Sequence, residues 1–224
     1  MNQTPEPSRL SWNPVEIYKD IEVAEAYDKE RFSSLPGRIF DRLEKNAVLK
    51  AFSGVPKGAV ILDAPCGTGR LAEVLLEAGY RVFGVDISPA MLDVATRILA
   101  RFGDKFQAQV ADVRQLTLPD RHFDAALCAR ILMHFPVRDQ MSFLAAVSRL
   151  AANRVVFNQS VDTPYNRARR VLKRVLRNQN PAAYPLSQDE LGQLLQSASL
   201  HELRRHQVFP LVSEAIVFST GKNP

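Results

Sequence analysis

Short apolar runs alternate with amphipathic segments through the middle of the chain. The amphipathic segments repeat their apolar residues with the period of an α-helix and lie at 69–79, 88–103 and 136–151. The apolar runs are rich in Val, Ile, Leu and Phe and lie at 58–63, 81–85, 106–110, 123–129 and 153–158. Because strands joined by crossover helices pair in parallel, this alternation predicts an α/β fold with a doubly wound, mostly parallel sheet and helices on both faces.

The two ends of the chain add further elements to this pattern. Residues 15–33 and 36–52 have helical spacing and precede the first strand. After the fifth strand, 164–177 is again helical, and Ser187 with Glu190 forms the capping-box pattern that begins another helix. Two final strands, six and seven, are predicted at about 202–209 and 214–219.

The length of 224 residues suits one domain with a full hydrophobic core. Residues 1–14 are polar and contain three prolines, and we expect them to be a flexible N-terminal segment. The rest, 15–224, is expected to form the single domain. Within it, 15–53 supplies the N-terminal helices, and 164–199 is a helical insert between strands five and six.

The composition is that of an ordinary folded protein, with 46% hydrophobic and 24% charged residues. No apolar run approaches the length of about 18 residues that a membrane-spanning helix requires, and the first residues lack the apolar core of a signal peptide. Cys66 and Cys128 lack the spacing of a metal site and lie in apolar surroundings, which predicts a reduced, cytoplasmic protein without a bound metal. The net charge of +5 only weakly favours anionic partners.

The first predicted strand ends in an unusual turn, in the sequence VILDAPCGTGR. Asp63 ends the apolar run, and Gly67 and Gly69 follow just before the next helix. In a doubly wound sheet, ligands bind beyond the carboxyl ends of the strands. Glycine lets a ligand approach the backbone, and the helix directs unpaired N–H groups into the same space. The turn is therefore predicted to hold a ligand.

A turn of this kind suits either of two ligands, a dinucleotide or a ligand with a cationic group. A dinucleotide site has the pattern G-x-G-x-x-G, but Ala72 occupies the third glycine position. Alanine at that position is weak evidence against a dinucleotide, since some dinucleotide sites tolerate it. The carboxylate of Asp63 is stronger evidence, because it repels a pyrophosphate and suits a ligand with an ammonium or sulfonium group. An NAD-dependent oxidoreductase is therefore disfavoured, although it stays an alternative.

The next two strands also end in aspartate. The oxygens of Asp86 suit the two hydroxyls of a ribose, and Asp112 suits an exocyclic amine, with the Val113 N–H facing a ring nitrogen. Ile87 and Met91 are placed to cover a planar ring. Three successive strand ends therefore describe a ligand that contains an ammonium, a ribose and an adenine.

From about Tyr27 to Ser219 the sequence resembles the class I S-adenosylmethionine-dependent methyltransferases. VILDAPCGTGR resembles the first motif of the family, VFGVDISPAMLDVA the second, ADV the third and FDAALCARILMHF the fourth. Pro65 stands where the family more often has glycine. The resemblance implies a seven-stranded sheet with an antiparallel last strand, and S-adenosylmethionine as cofactor. It also places Ala64 and Ala129 beside that cofactor.

The implied reaction is direct in-line transfer of the sulfonium methyl group to an O or N atom of a small-molecule or lipid-like acceptor. Before the first strand, similar enzymes often fold a helix over the cofactor, which would bring Tyr27 and Arg31 to its carboxylate. His134 follows the fourth strand and is a candidate general base, or else a structural histidine. Arg130, at the end of that strand, would meet an anionic substrate or reach solvent.

The segment 164–178 is strongly basic. Ala168, Val171, Leu172, Val175 and Leu176 form one apolar stripe in a helix, and Arg or Lys fills most of the rest of its surface. It is either a helix packed on the edge of the sheet, or a lid or interface helix that contacts an apolar acceptor or an anionic surface. A non-catalytic cofactor-binding module stays possible. A nucleic-acid acceptor is disfavoured, because ARILMH stands where an N-P-P-Y-type motif would be.

Overall fold

A computed structural model describes residues 32–177, 184–209 and 215–223. It contains a seven-stranded sheet in the order β3-β2-β1-β4-β5-β7-β6, in which β7 runs antiparallel to both of its neighbours. The strands are β1 (Val60–Asp63), β2 (Arg81–Asp86), β3 (Phe106–Val110), β4 (Phe123–Cys128), β5 (Ala151–Ser160), β6 (Leu200–Gln207) and β7 (Ala215–Lys222). The α/β prediction and the antiparallel last strand are confirmed. The predicted flexible segment and most of the first predicted helix lie outside the described residues.

Helices cover both faces of the sheet. They are α1 (Leu35–Ala51), α2 (Arg70–Glu77), α3 (Pro89–Leu99), α4 (Val137–Leu150), α5 (Pro164–Arg177) and α6 (Gln188–Ser197). Successive strand residues point to opposite faces, so Ile61 packs with α1 and α2 while Leu62 packs with α4 and α6. Two buried apolar layers, one on each face, therefore hold the sheet between the helices.

Local sequence signals set the starts of two helices. Ser88 caps α3 by accepting a hydrogen bond from the Met91 N–H at 3.2 Å, and a proline occupies the first turn of that helix. Ser187 and Glu190 form the predicted capping box at the start of α6. Both α5 and α6 lie between β5 and β6 in the chain, where the helical insert was predicted.

The strand order reverses between β1 and β4, which are neighbours in the sheet although β2 and β3 separate them in the chain. At such a point the loops after the two strands diverge to opposite faces and leave a crevice at their carboxyl ends. The loop after β1 is the glycine turn, and it lies on this crevice. Among the described helices, none has the length and apolar character needed to cross a membrane.

Candidate functional site

A cavity of about 420 Å³ lies beyond the carboxyl ends of β1, β2 and β4. This volume is within the range of roughly 300–1,000 Å³ that small-molecule sites occupy. Its wall contains most of the predicted site residues, namely Asp63, Ala64, Gly67, Asp86, Ile87, Met91, Asp112, Val113, Ala129 and His134. Tyr27 and Arg31 lie outside the described residues, so their predicted role stays a prediction.

The carboxylate of Asp86 joins the loops that follow β1 and β2. It accepts hydrogen bonds from the Gly67 N–H at 2.9 Å and from the Ser88 N–H at 3.0 Å. Burial raises the pKa of Asp86, and the backbone donors partly oppose this shift because they favour the charged form. Gly67 has a φ of +54°, a conformation that glycine adopts without strain. The interaction fixes the turn against the end of the second strand.

Asp63 is almost completely buried at the end of β1, and its Oδ2 atom has no hydrogen-bond partner among the described residues. Its pKa is raised well above the usual value, chiefly by burial and then by the negative charge of Asp86, while Arg70 acts in the opposite direction. A buried carboxylate oxygen without a partner is costly. The cavity wall therefore offers an acceptor that a cationic ligand group would satisfy.

Gly69 is not among the lining residues, although the sequence predicted that it would let a ligand approach the backbone. It precedes the first residue of α2 with a φ of +80°. A Cβ atom at this position would lie 2.7 Å from Leu99 Cδ1 and 3.2 Å from Ala95 Cβ. The glycine is required because α2 starts against the side of α3, so its observed role is packing.

Asp112 lies at the rim of the cavity and is held by Arg114. The guanidinium donates to both carboxylate oxygens, with Nη2 at 2.6 Å from Oδ2 and Nε at 3.0 Å from Oδ1. The same carboxylate caps the short turn Val113–Gln115 through the Arg114 N–H. The hydrogen bonds from Arg114 lower the pKa of Asp112. Asp112 is therefore charged and fixed beside the buried Val113.

A buried polar cluster beside the cavity was not predicted from the sequence. Glu44, on α1, is fully buried and accepts hydrogen bonds from Arg70 Nη2, Arg130 Nη1 and Asn158 Nδ2. The Arg130 and Asn158 contacts measure 3.3 and 3.1 Å. Arg70 also donates to Asp41, one turn earlier on α1. The cluster joins α1 to α2 and to the ends of β4 and β5.

One sequence signal pointed to Glu44. The predicted helix 36–52 has its apolar stripe at Phe40, Leu43 and Ala47, and Glu44 lies within that stripe. A glutamate on the buried side of a helix needs paired charges or hydrogen bonds. The sequence does not show which residues supply them, because Asn158 is 114 positions away in the chain.

Arg130 follows β4 in a left-handed conformation, with a φ of +62°. Its N–H donates to Asn158 Oδ1 at 2.6 Å, its Nη1 to Glu44, and its guanidinium lies 5.7 Å from the ring centre of Phe32. The sequence offered either an anionic substrate or solvent as its environment; the side chain is 17% exposed and pairs with Glu44. Its Nε is buried without a partner among the described residues. The cavity wall thus contains both this donor and the acceptor of Asp63.

His134 ends the short turn Leu132–His134, which follows β4. Its backbone N–H donates to the Ile131 carbonyl at 2.9 Å, which fixes the turn. The residue lines the cavity together with Phe135 and Phe143, whose rings lie 5.8 Å apart between centres. The position therefore combines a titratable side chain with an apolar wall.

Residues 61–154 match the family model described as a methyltransferase domain. Among curated proteins, the ubiquinone biosynthesis O-methyltransferase of Coxiella burnetii is 35% identical over 85 residues, which cover 38% of this chain and 36% of that protein. The chain therefore spans about a third of the length of this relative. Residues 61–154, the region that matches the family model, contain the glycine turn and Asp63, Asp86 and Asp112.

Solved structures share the fold over nearly the whole chain. Magnesium protoporphyrin IX methyltransferase from Synechocystis PCC 6803 with bound SAH has a TM-score of 0.69 at 17% identity, covering 90% of this chain and 99% of its own. The 1,6-didemethyltoxoflavin-N1-methyltransferase of Burkholderia thailandensis has a TM-score of 0.69 at 19% identity, covering 100% and 94%. The sequence of residues 61–154 is therefore similar to a methyltransferase domain, and the chain has the fold of these solved methyltransferase structures.

Proposed function

We propose that the chain is a methyltransferase that transfers a methyl group from S-adenosylmethionine to a small-molecule or lipid-like acceptor. One observation carries the proposal: the cavity wall contains a buried carboxylate oxygen on Asp63 and a buried guanidinium N–H on Arg130, both without partners among the described residues. An amino-acid group carries an ammonium and a carboxylate, and it would satisfy both atoms. The cofactor ends in such a group, so the chemistry of the wall fits it.

The ribose and the adenine of the cofactor would contact residues that follow β2 and β3. Asp86 has spare lone pairs beside its two backbone donors, and these would accept hydrogen bonds from both ribose hydroxyls. Ile87 and Met91 would cover the adenine, with Asp112 and the Val113 N–H at its polar edge. A pyrophosphate in place of the amino-acid group would meet the carboxylate of Asp63, which argues against a nicotinamide cofactor.

The bound cofactor would supply an activated sulfonium methyl group, so no covalent enzyme intermediate is required. The work left to the protein is to hold the acceptor in line with the methyl group and to keep water away. Positioning of this kind can lower a barrier by roughly 7–11 kcal/mol. Phe135 and Phe143 line the cavity with His134 and would form the apolar wall beside the acceptor. His134 would take a proton from an acceptor hydroxyl or amine, or orient it.

The acceptor class is supported by the similar proteins, whose names describe an O-methyltransferase of ubiquinone biosynthesis and an N1-methyltransferase of a toxoflavin precursor. Both names indicate methylation at oxygen or nitrogen of a small molecule. We propose the same for this chain, with a nucleic-acid acceptor disfavoured. A cytoplasmic location is supported by Cys66 and Cys128, which are buried free thiols.

Replacing His134 by alanine is expected to lower kcat about 100-fold, with little change in cofactor affinity, because proton transfer by a positioned side chain contributes roughly 10²–10⁴. Steady-state kinetics with the identified acceptor measures the first quantity, and calorimetry measures the second. His122→Ala is the matched control, since that histidine is exposed and outside the cavity wall. A His134→Ala protein that keeps most of its activity would assign His134 a structural role.

The proposed activity is tested with cofactor labelled on its methyl group, using the purified chain and fractionated cell extract. Label is expected in a small-molecule or lipid fraction. Label found only in nucleic acid would overturn the proposed acceptor class. Cofactor binding without label in any fraction would instead favour a non-catalytic binding module, the second candidate, because that function keeps the cofactor contacts and lacks a working acceptor site.

A further inference from the structure

Helix α5 is amphipathic in the reverse sense to a helix packed on a protein core. In the described part of the helix, the residues near the protein body are polar. Asn166 is 9% exposed and donates from Nδ2 to the Val161 carbonyl at 2.9 Å, and the Arg170 guanidinium pairs with Asp162. Val171, on the other side, is 56% exposed, and Ala168 is also exposed. In the described part of α5, the apolar side therefore faces outward.

The sequence has further apolar residues at helical spacing from Ala168 and Val171. At about 100° per residue, the apolar positions of α5 fall in one arc of roughly 140° and the polar positions fill the rest. The apolar arc comprises Tyr165, Ala168, Val171, Leu172, Val175 and Leu176. A surface helix of a folded domain normally turns such an arc inward, so its outward orientation calls for an apolar medium outside the protein.

The basic residues beside the apolar residues of α5 indicate what this apolar medium is. Between Thr163 and Gln188 the sequence has six basic residues and no acidic one, and all six basic residues fall in helix α5. The net charge of the whole chain is only +5, so the positive charge is concentrated on this helix. An apolar face flanked by Arg and Lys matches a helix that lies in the interface of an anionic membrane, with its apolar side among the acyl chains.

We infer that α5 docks the protein on the surface of an anionic lipid bilayer, parallel to the membrane plane. Asp162 supports this arrangement: Arg167 Nη2 donates to it at 2.8 Å and Arg170 also pairs with it, so two cations hold the first turns of the helix against the end of β5. The hydrogen bonds from these arginines lower the pKa of Asp162. These ion pairs leave Ala168 and Val171 exposed on the other side of the helix. This inference does not depend on the proposed function.

Sedimentation of the 224-residue chain with vesicles tests the inference. Vesicles of phosphatidylcholine with a third phosphatidylglycerol should bind the protein at low salt, and vesicles of phosphatidylcholine alone should bind it much less. Lys173→Gln with Arg174→Gln is expected to weaken partition roughly thirtyfold, because each basic residue near such a surface contributes about 1 kcal/mol. The pair Arg97→Gln and Lys105→Gln removes equal charge from exposed positions away from α5 and should leave partition unchanged.

The apolar arc is tested separately. Val171→Ser with Val175→Ser has little effect on helix propensity but removes apolar surface, and it should weaken partition at least tenfold. Val171→Cys provides an independent measurement, since the two native cysteines are buried. A polarity-sensitive fluorophore on this thiol should shift to shorter wavelength when anionic vesicles are added.

Several results would overturn the inference. One is a wild-type chain that binds S-adenosylmethionine but does not sediment with anionic vesicles at low salt. A second is a fluorophore at position 171 that stays in water when vesicles are added. A third is a Val171→Ser, Val175→Ser variant that binds vesicles as well as wild type. Either of these would show a purely electrostatic contact, such as that with RNA. Concentration-dependent dimers that the valine variant abolishes would assign the arc to a second copy. Loss of cofactor binding with normal sedimentation would contradict only the proposed function.

Discussion

Replacing Asp86 by alanine is expected to weaken S-adenosylmethionine binding by about a hundredfold or more. The proposed contacts are two hydrogen bonds from ribose hydroxyls to a carboxylate, each worth roughly 1.5–3 kcal/mol. The substitution also removes the acceptor for the Gly67 and Ser88 N–H groups, so the loops after β1 and β2 lose the interaction that joins them. Isothermal titration calorimetry measures the dissociation constant.

The control for Asp86 is Asp93→Ala. Asp93 is an exposed carboxylate on α3, the helix that follows Asp86, so its removal changes the net charge equally without touching the cavity. The dissociation constant of Asp93→Ala for S-adenosylmethionine should match that of the wild type. An Asp86→Ala protein with a native circular dichroism spectrum and an unchanged dissociation constant would remove Asp86 from the proposed cofactor site.

Replacing Glu44 by alanine is expected to lower the free energy of unfolding by about 3–5 kcal/mol, the cost of removing one partner from a buried ion pair. Arg70 and Arg130 would lose their shared buried acceptor, and Asn158 Nδ2 would lose its partner. Urea denaturation followed by circular dichroism measures the change, which is read from the midpoint at constant slope.

Glu77→Ala serves as the control for this prediction. Glu77 is 57% exposed and pairs with Arg101 at the surface, and such pairs contribute roughly 0–1 kcal/mol. A loss below about 1 kcal/mol for Glu44→Ala would show that water or neighbouring groups replace the buried carboxylate. The cluster would then not be what holds α1 against the sheet.

The sequence predicted the sheet and the strand ends well because both rest on local signals. Buried parallel strands are continuous apolar runs, and the aspartates that end β1 and β2 interrupt those runs. The ends of parallel strands meet at one edge, so Asp63 and Asp86 had to lie close together once the topology was known. The helix starts at Ser88 and Ser187 were equally local, since capping depends on residues three positions apart.

What the sequence did not predict depends on contacts between distant segments. Glu44, Arg130 and Asn158 meet only because the packing of α1 brings Glu44 close to the ends of β4 and β5. The packing role of Gly69 depends on Leu99, which approaches it only after α3 has docked. The basic helix was predicted, but its orientation was not, because the spacing defines an apolar side without showing which way it faces.

Calorimetric titration of the chain with S-adenosylmethionine and with NAD tests the central claim most directly. We expect S-adenosylmethionine to bind and NAD not to bind. The raised pKa of Asp63 adds a second signal. Below its usual pKa of about 7.7–8.0, the ligand's α-amino group is protonated. Its positive charge would therefore favour the ionised carboxylate of Asp63, and binding should release protons.

Proton release is measured from the difference in binding enthalpy between buffers with different ionisation enthalpies. The release is largest at a pH where Asp63 is protonated in the free chain. The affinity for S-adenosylmethionine should rise as the pH rises through the range in which Asp63 loses its proton. Asp63→Asn should abolish both the proton release and this pH dependence. The account predicts S-adenosylmethionine binding with proton release that depends on Asp63. Measurable NAD binding by a chain that does not bind S-adenosylmethionine would contradict it.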